Sequence, residues 1–131
     1  MNLNDISYQI RGAVFEVYNV LGPGLLENIY EQALLIELNN RCLKVENQVP
    51  IEVLYKGVNL GIQYRLDFLI NDQVILELKS VDTLLPVHYK QLITYLKIAK
   101  KPLGFLINFN TDSIKDNIIR VANDVNHPDL Q

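Results

Sequence analysis

The sequence lacks the devices that staple small secreted domains or anchor chains in membranes. It has a single cysteine, Cys42, so no internal disulfide can form, and a reducing cytosol is the expected setting. The chain opens Met-Asn-Leu-Asn-Asp, without the basic and apolar regions of a secretory signal. No uninterrupted apolar run approaches membrane-spanning length. Positive charge is not in excess: 12 Lys and Arg stand against 15 Asp and Glu, for a net charge of −3 and a pI of about 5.3. That argues against coating nucleic acid through bulk charge and still permits a local basic groove. No second His or Cys stands at ligand spacing from His88, which weakens it as a metal ligand. Gly22-Pro23-Gly24 is a helix-linking turn without the features of a phosphate-cradling loop. There is no internal repeat, low-complexity segment or linker. The expectation is one domain over residues 1–131, with 49% hydrophobic residues to build its core.

The periodicity alternates between helix and strand. Ile6, Ile10, Ala13, Val14, Val17 and Leu21 recur at helical spacing, with Asn4 as the expected N-cap of a helix over 4–21. A second helix is predicted from Leu25 to Asn39, burying Leu26, Ile29, Ala33 and Ile36 or Leu38. Its other stripe is Glu27, Tyr30, Glu31 and Leu34. Lys44 to Tyr55 reads as a strand with a break at Pro50, and Val58 to Ile70 as a strand bent near Gly61. Pro86 suits the first turn of a third helix to about Lys100, with Leu92, Ile93, Leu96 and Ala99 inward and His88, Gln91 and Tyr95 on another stripe. Leu103 to Phe109 is a strand for a sheet interior. A last helix capped by Thr111 or Asp112 is expected to run to about Val125, with Ile114, Ile118, Val121, Ala122 and Val125 inward and a frayed tail from Asn126. Cys42 is expected as buried packing rather than as a nucleophile.

The centre of the chain is Tyr64 to Ser80. Tyr64, Leu66, Phe68 and Ile70 alternate with Arg65, Asp67 and Leu69, and Val74, Leu76 and Leu78 alternate with Ile75, Glu77 and Lys79. Period-two alternation implies one apolar face and one carrying Arg65, Asp67, Glu77 and Lys79. A two-residue turn at Asn71-Asp72 would pair Asp67 with Leu76 and mismatch every pair. An odd-length connection, Asn71-Asp72-Gln73, or a bulge repairs them all and sets Asp67 beside Glu77.

Two carboxylates at ~5 Å repel by roughly 3 kcal/mol at an effective dielectric of ~20. A shared proton, Lys79 as counter-ion, or a divalent cation must offset this. A Mg²⁺ ion takes one or two carboxylates and keeps the rest of its octahedron for waters and phosphate oxygens. An acid pair with a lysine beside it therefore suits metal-assisted phosphodiester hydrolysis, with Lys79 orienting the attacking water or taking its proton. The plainer alternative is a structural ion pair on a solvated sheet face.

Asp67 followed by Glu77-Leu78-Lys79 resembles the signature of the PD-(D/E)XK nuclease superfamily, with Leu66 where the naming proline would stand. Gly24-Leu25-Leu26-Glu27-Asn28-Ile29-Tyr30 resembles the motif of the bacterial GxxExxY family, assigned to that superfamily. The likeness runs from about Ile6 to Arg120 and includes Gln48-Val49-Pro50 and Leu106-Ile107-Asn108-Phe109-Asn110. Gln91 and Tyr95 resemble the QxxxY motif of the RecB-type branch. Tyr18 stands where that family would carry histidine. The resemblance implies a restriction-endonuclease-like αβββαβ core: a small mixed α/β sheet flanked by helices, with extra N-terminal and C-terminal helices. It implies Asp67 and Glu77 as metal ligands, Glu27 completing the site directly or through water, and Lys79 as catalytic lysine. Gln91 and Tyr95 would lie near the scissile phosphate or the strand.

The expected function is a Mg²⁺- or Mn²⁺-dependent nuclease acting on DNA rather than RNA, with a homo-oligomer or partner subunit helping to hold substrate. The rival expectations are a non-catalytic binding or assembly module that keeps the charges as an ion network, and a hydrolase of another phosphoester.

Overall fold

A computed structural model describes residues 1–123. Two helices, α1 (Leu3–Leu21) and α2 (Glu27–Asn39), precede three strands, β1 (Val45–Tyr55), β2 (Val58–Ile70) and β3 (Val74–Lys79). Helix α3 (Pro86–Ala99) leads to β4 (Leu103–Asn108), a 3₁₀ turn (Ile114–Asn117) and β5 (Ile118–Ala122). The sheet order is β1-β2-β3-β4-β5, antiparallel except for the parallel β3–β4 pair that α3 connects. This is the restriction-endonuclease-like α/β architecture, with α1 added before the core.

Both faces of the sheet are covered. Residues of α1 and α2 pack with Phe68, Ile70, Val74, Leu76 and Leu78 on one face. Leu92 and Leu96 of α3 pack with Leu69, Ile75 and Leu106 on the other. The single apolar face expected for β2 and β3 is thus corrected: Leu69 and Ile75, assigned to the charged face, are buried. The connection between β2 and β3 is Asn71-Asp72-Gln73, with Ile70 opposite Val74. Asn71 and Asp72 both take positive φ, and the Gln73 N–H donates to the Ile70 carbonyl. Two short polar residues that tolerate the left-handed region close this turn.

Several local expectations are overturned. Asn2, not Asn4, caps α1: its side chain accepts from the Asp5 N–H at 2.9 Å while Asp5 accepts from the Asn2 N–H at 3.1 Å. The earlier start lets Leu3 enter the core. In α2 the buried stripe is Tyr30, Leu34 and Leu38, whereas Leu26, Ile29 and Ile36 are exposed. The deciding contact is Tyr30 stacked on Phe109, ring centroids 4.5 Å apart, an arrangement that contributes about 0.5–1.5 kcal/mol beyond area burial. Ile93 of α3 is also exposed. Cys42 is an exposed free thiol in the turn after α2.

The expected C-terminal helix is replaced by the 3₁₀ turn and β5. Ile114 and Ile118 do face the main core, as helical spacing suggested. However, β4 would otherwise be a bare edge, and Ile118-Ile119-Arg120-Val121 is rich in β-branched residues that suit a strand. The segment to Val125 and the tail from Asn126 lie outside the described residues.

Gly104 of β4 fixes how closely α3 approaches. A Cβ there would stand 2.9 Å from Leu92 Cδ1 and 3.3 Å from the Ile75 carbonyl oxygen. Gly104→Ala is predicted to cost about 1–3 kcal/mol in a urea melt, the usual price of overpacking.

Candidate active site

The site forms where β2 and β3 part. Their last paired residues are Phe68 and Leu76, and extending that register sets Asp67 opposite Glu77. There the side chains take over the ladder. Asp67 Oδ2 accepts from the Leu78 N–H at 2.8 Å, and Glu77 Oε1 accepts from the Asp67 N–H at 3.3 Å.

The neighbouring strand makes room for this. Gln48 of β1 takes φ of 53°, between the pairs Asn47–Phe68 and Val49–Leu66. The pleat of β2 changes phase at the same level. Phe68 belongs to the core beneath α1 and α2, whereas Leu66, two residues earlier, packs with α3. Asp67 lies at the break, and its carboxylate enters the slot between the strands.

Glu77 is buried, with 7% of its surface exposed, while Asp67 and Lys79 are half-buried. Burial first, and then the Asp67 charge, pushes the Glu77 carboxyl up to about 9. Burial also raises Asp67, opposed by the Leu78 N–H and the Lys79 charge. In the metal-free state the pair therefore holds a proton, one of the three offsets expected from the repulsion. Lys79 supplies a second, because its charge lowers both acids.

Helix α2 brings Glu27 and Glu31 to the same field. Burial raises both, and Asp67 raises both further, while Lys79 opposes the shift of Glu27. Glu31 accepts from Gln48 Nε2 at 2.7 Å and from Asn47 Nδ2 at 3.3 Å. Neither Glu31 nor Gln48 was singled out as a site residue. The i, i+4 spacing of Glu27 and Glu31 was the available signal for the first, but nothing local announces a left-handed glutamine.

Glu27 is positioned by a tethered loop. The buried Tyr30 hydroxyl donates to the Gly22 carbonyl at 2.5 Å and accepts from the Leu25 N–H at 3.1 Å. Ser80 Oγ donates to the Leu25 carbonyl at 2.6 Å, tying that loop to the strand that carries Lys79. Gly24, Glu27 and Tyr30 thus act together: a loop, the acid it delivers, and the anchor that holds it. Tyr18 has a structural place, its hydroxyl donating to the Thr111 carbonyl at 2.6 Å.

On the α3 side, the Tyr95 hydroxyl is pushed up by burial and then by the Glu77 charge. Its ring lies 5.3 Å from that of Tyr64, which the alternation had assigned to the core face. Gln91 is exposed one turn before Tyr95. His88 Nδ1 accepts from the Leu85 N–H at 2.9 Å and so caps α3. A cavity of about 740 Å³ opens beside Gly24, Asp82, Tyr89 and Asn110, and none of the clustered carboxylates lines it. At the acid pair itself only the half-buried Asp67 and Lys79 reach solvent.

A hard divalent ion fits this donor set. The nearest donors are carboxylate oxygens, the acids repel one another when both are ionised, and Asp67 and Lys79 are only half-buried. Among the described residues no three His, Cys, Asp or Glu side chains are grouped to hold one ion. The donor set therefore offers two adjoining protein carboxylates, Asp67 and Glu77.

A family model described as the PD-(D/E)XK nuclease superfamily matches residues 4–121. The chain belongs to that superfamily, whose members are usually nucleases, generally use divalent metals and bind nucleic acid. No curated protein and no solved structure matches the chain. Among the described residues no helix is long and apolar enough to cross a membrane.

The raised acids carry a pH dependence. A carboxyl whose folded pKa exceeds its unfolded value binds its proton more tightly in the native state. That stability is complete below about 4.5 and is lost as pH rises toward about 9. In chelator, the melting temperature is predicted to fall between pH 5 and pH 8.5, and Glu77→Gln to remove most of that fall. At neutral pH in chelator, Asp67→Asn keeps an acceptor for Leu78 and is predicted neutral or stabilising, whereas Lys79→Ala destabilises.

Proposed function

We propose that this chain is a Mg²⁺- or Mn²⁺-dependent nuclease that hydrolyses phosphodiester bonds of DNA rather than RNA, acting as one domain in the cytoplasm. The observation that carries this reading is the pair of adjoining carboxylates, Asp67 and Glu77, with the Lys79 charge beside them. Membership of a superfamily of nucleases supports it independently.

In this reading Asp67 and Glu77 would hold the ion once their proton is released, with Glu27 of α2 as a further acid toward it. The ion supplies Lewis-acid polarisation of the phosphate and of the attacking water. Lys79 orients that water and stabilises charge developing on the phosphate. On α3, Tyr95 and the exposed Gln91 would contact the nucleic-acid strand and limit access of bulk solvent. With net charge −3, the chain gains little from bulk electrostatic attraction, so the domain alone binds nucleic acid weakly.

The same bonds support a second reading, a non-catalytic module in which the acids serve as ladder acceptors between β2 and β3. Calorimetric titration with Mg²⁺ or Mn²⁺ separates the two. The nuclease reading predicts binding that Asp67→Asn and Glu77→Gln abolish. It also predicts cleavage of linear, nicked or single-stranded DNA at low salt, reduced at least 100-fold by Lys79→Ala. Folded protein that neither binds metal nor cleaves any of these substrates would leave the second reading standing.

A further inference from the structure

The β1–β2 ribbon runs well beyond the sheet. Strand β3 pairs with β2 only at Phe68–Ile70, so residues 51–64 form a two-stranded arm without a third strand. Such a ribbon is marginal in water without something packed against it. Its tip, Lys56-Gly57, closes on two positive φ angles, and register shifts after Ile51 and after Glu52 add twist.

The faces of the arm differ. Tyr55 pairs with Val58 and Ile51 with Tyr64, and alternation from those pairs sets Val53 and Leu60 on the same face. The other face carries Glu52 and Asn59, which bond to each other at 3.0 Å, together with Leu54 and Ile62. The strand positions of the first face hold no charged residue, and the Lys56 ammonium at the tip lies 5.4 Å from the Tyr55 ring centroid. Its members Tyr55, Val58, Leu60 and Tyr64 are between 45% and 60% exposed. At its base the face runs into Ile51, which packs beneath α3, and into the Tyr64–Tyr95 ring contact.

We propose that this arm face is a homodimer interface, covered in solution by the same face of a second copy of the chain. Three features favour this occupant. The exposed side chains amount to on the order of 500 Å², enough for the apolar centre of the about 800 Å² per partner that a stable dimer buries. Lys56 at the tip and Gln63 and Arg65 near the base are exposed and supply a polar rim. Apart from the Lys56 ammonium over the Tyr55 ring the face is uncharged, so its apolar centre offers little to a charged partner and can meet its own copy across a two-fold axis. Growth of the sheet through β1 is disfavoured, because Pro50 removes a donor and left-handed Gln48 bends that edge. The copies therefore meet through the face of the ribbon and not through its edge. Aliphatic side chains make up half of the exposed members, which argues against a stacking platform for bases.

The interface is tested through oligomeric state, without substrate, so its failure is distinct from failure of the nuclease reading. Sedimentation velocity of the full chain from about 1 to 200 μM is expected to show a reversible dimer. Val58→Glu with Leu60→Glu is expected to give a folded monomer whose melting temperature no longer rises with protein concentration. If that pair misfolds, hydrogen exchange on the unaltered chain takes its place: amides of residues 51–64 gain protection with concentration. A monomer throughout the range, or a dimer that persists in the folded double variant, would overturn the proposal. So would an arm protected only when a polynucleotide is added.

Discussion

Two carboxylates in a slot between strands are the constraint around which the site is built. Asp67 and Glu77 satisfy backbone groups that a closed ladder would pair, so their placement is set by the sheet itself. The parting of β2 and β3 creates demand for acceptors, and the acids meet it. Their mutual repulsion then creates demand for positive charge, met by a proton and by Lys79. An assembly that is satisfied as a scaffold yet electrostatically tense is suited to exchange its proton for a divalent ion.

The surrounding elements hold that tension in place. α3 and the α1–α2 layer cover opposite faces, and the phase change at Asp67 divides β2 between them. The loop before α2 is held by Tyr30 from within and by Ser80 from the strand of Lys79. Glu27 and Lys79 are therefore set relative to one another by hydrogen bonds rather than by distant packing alone. Gly104 does the same for α3 and with it Tyr95, by letting Leu92 close onto β4.

Much of this was legible in the sequence. The three-residue connection followed from requiring like to face like across β2 and β3, and Asp67 and Glu77 followed from that connection. What escaped was non-local. The inward stripe of α2 was decided by Phe109, far away in sequence, and an equally apolar stripe lay beside it. Ile114 and Ile118 satisfy helical and extended geometries alike, and the open edge of β4 chose between them. The phase change at Asp67 depends on Gln48 leaving the usual backbone region, which side-chain identity does not reveal. Tyr64 was misplaced for the same reason: its alternation was read through a break that reverses it.

The irregularities of β2 also bear on how such a chain can diversify. Register shifts opposite Ile51 and Glu52 have already absorbed surplus residues in the ribbon without disturbing the pairs Val49–Leu66 and Asn47–Phe68. Length can thus be gained or lost on the distal side while the acids keep their mates. Between Asp67 and Glu77 no such slack exists, because one residue more or fewer would swap every neighbour across the strands. The same hairpin pathway therefore joins a segment that can absorb a change of length to one that cannot.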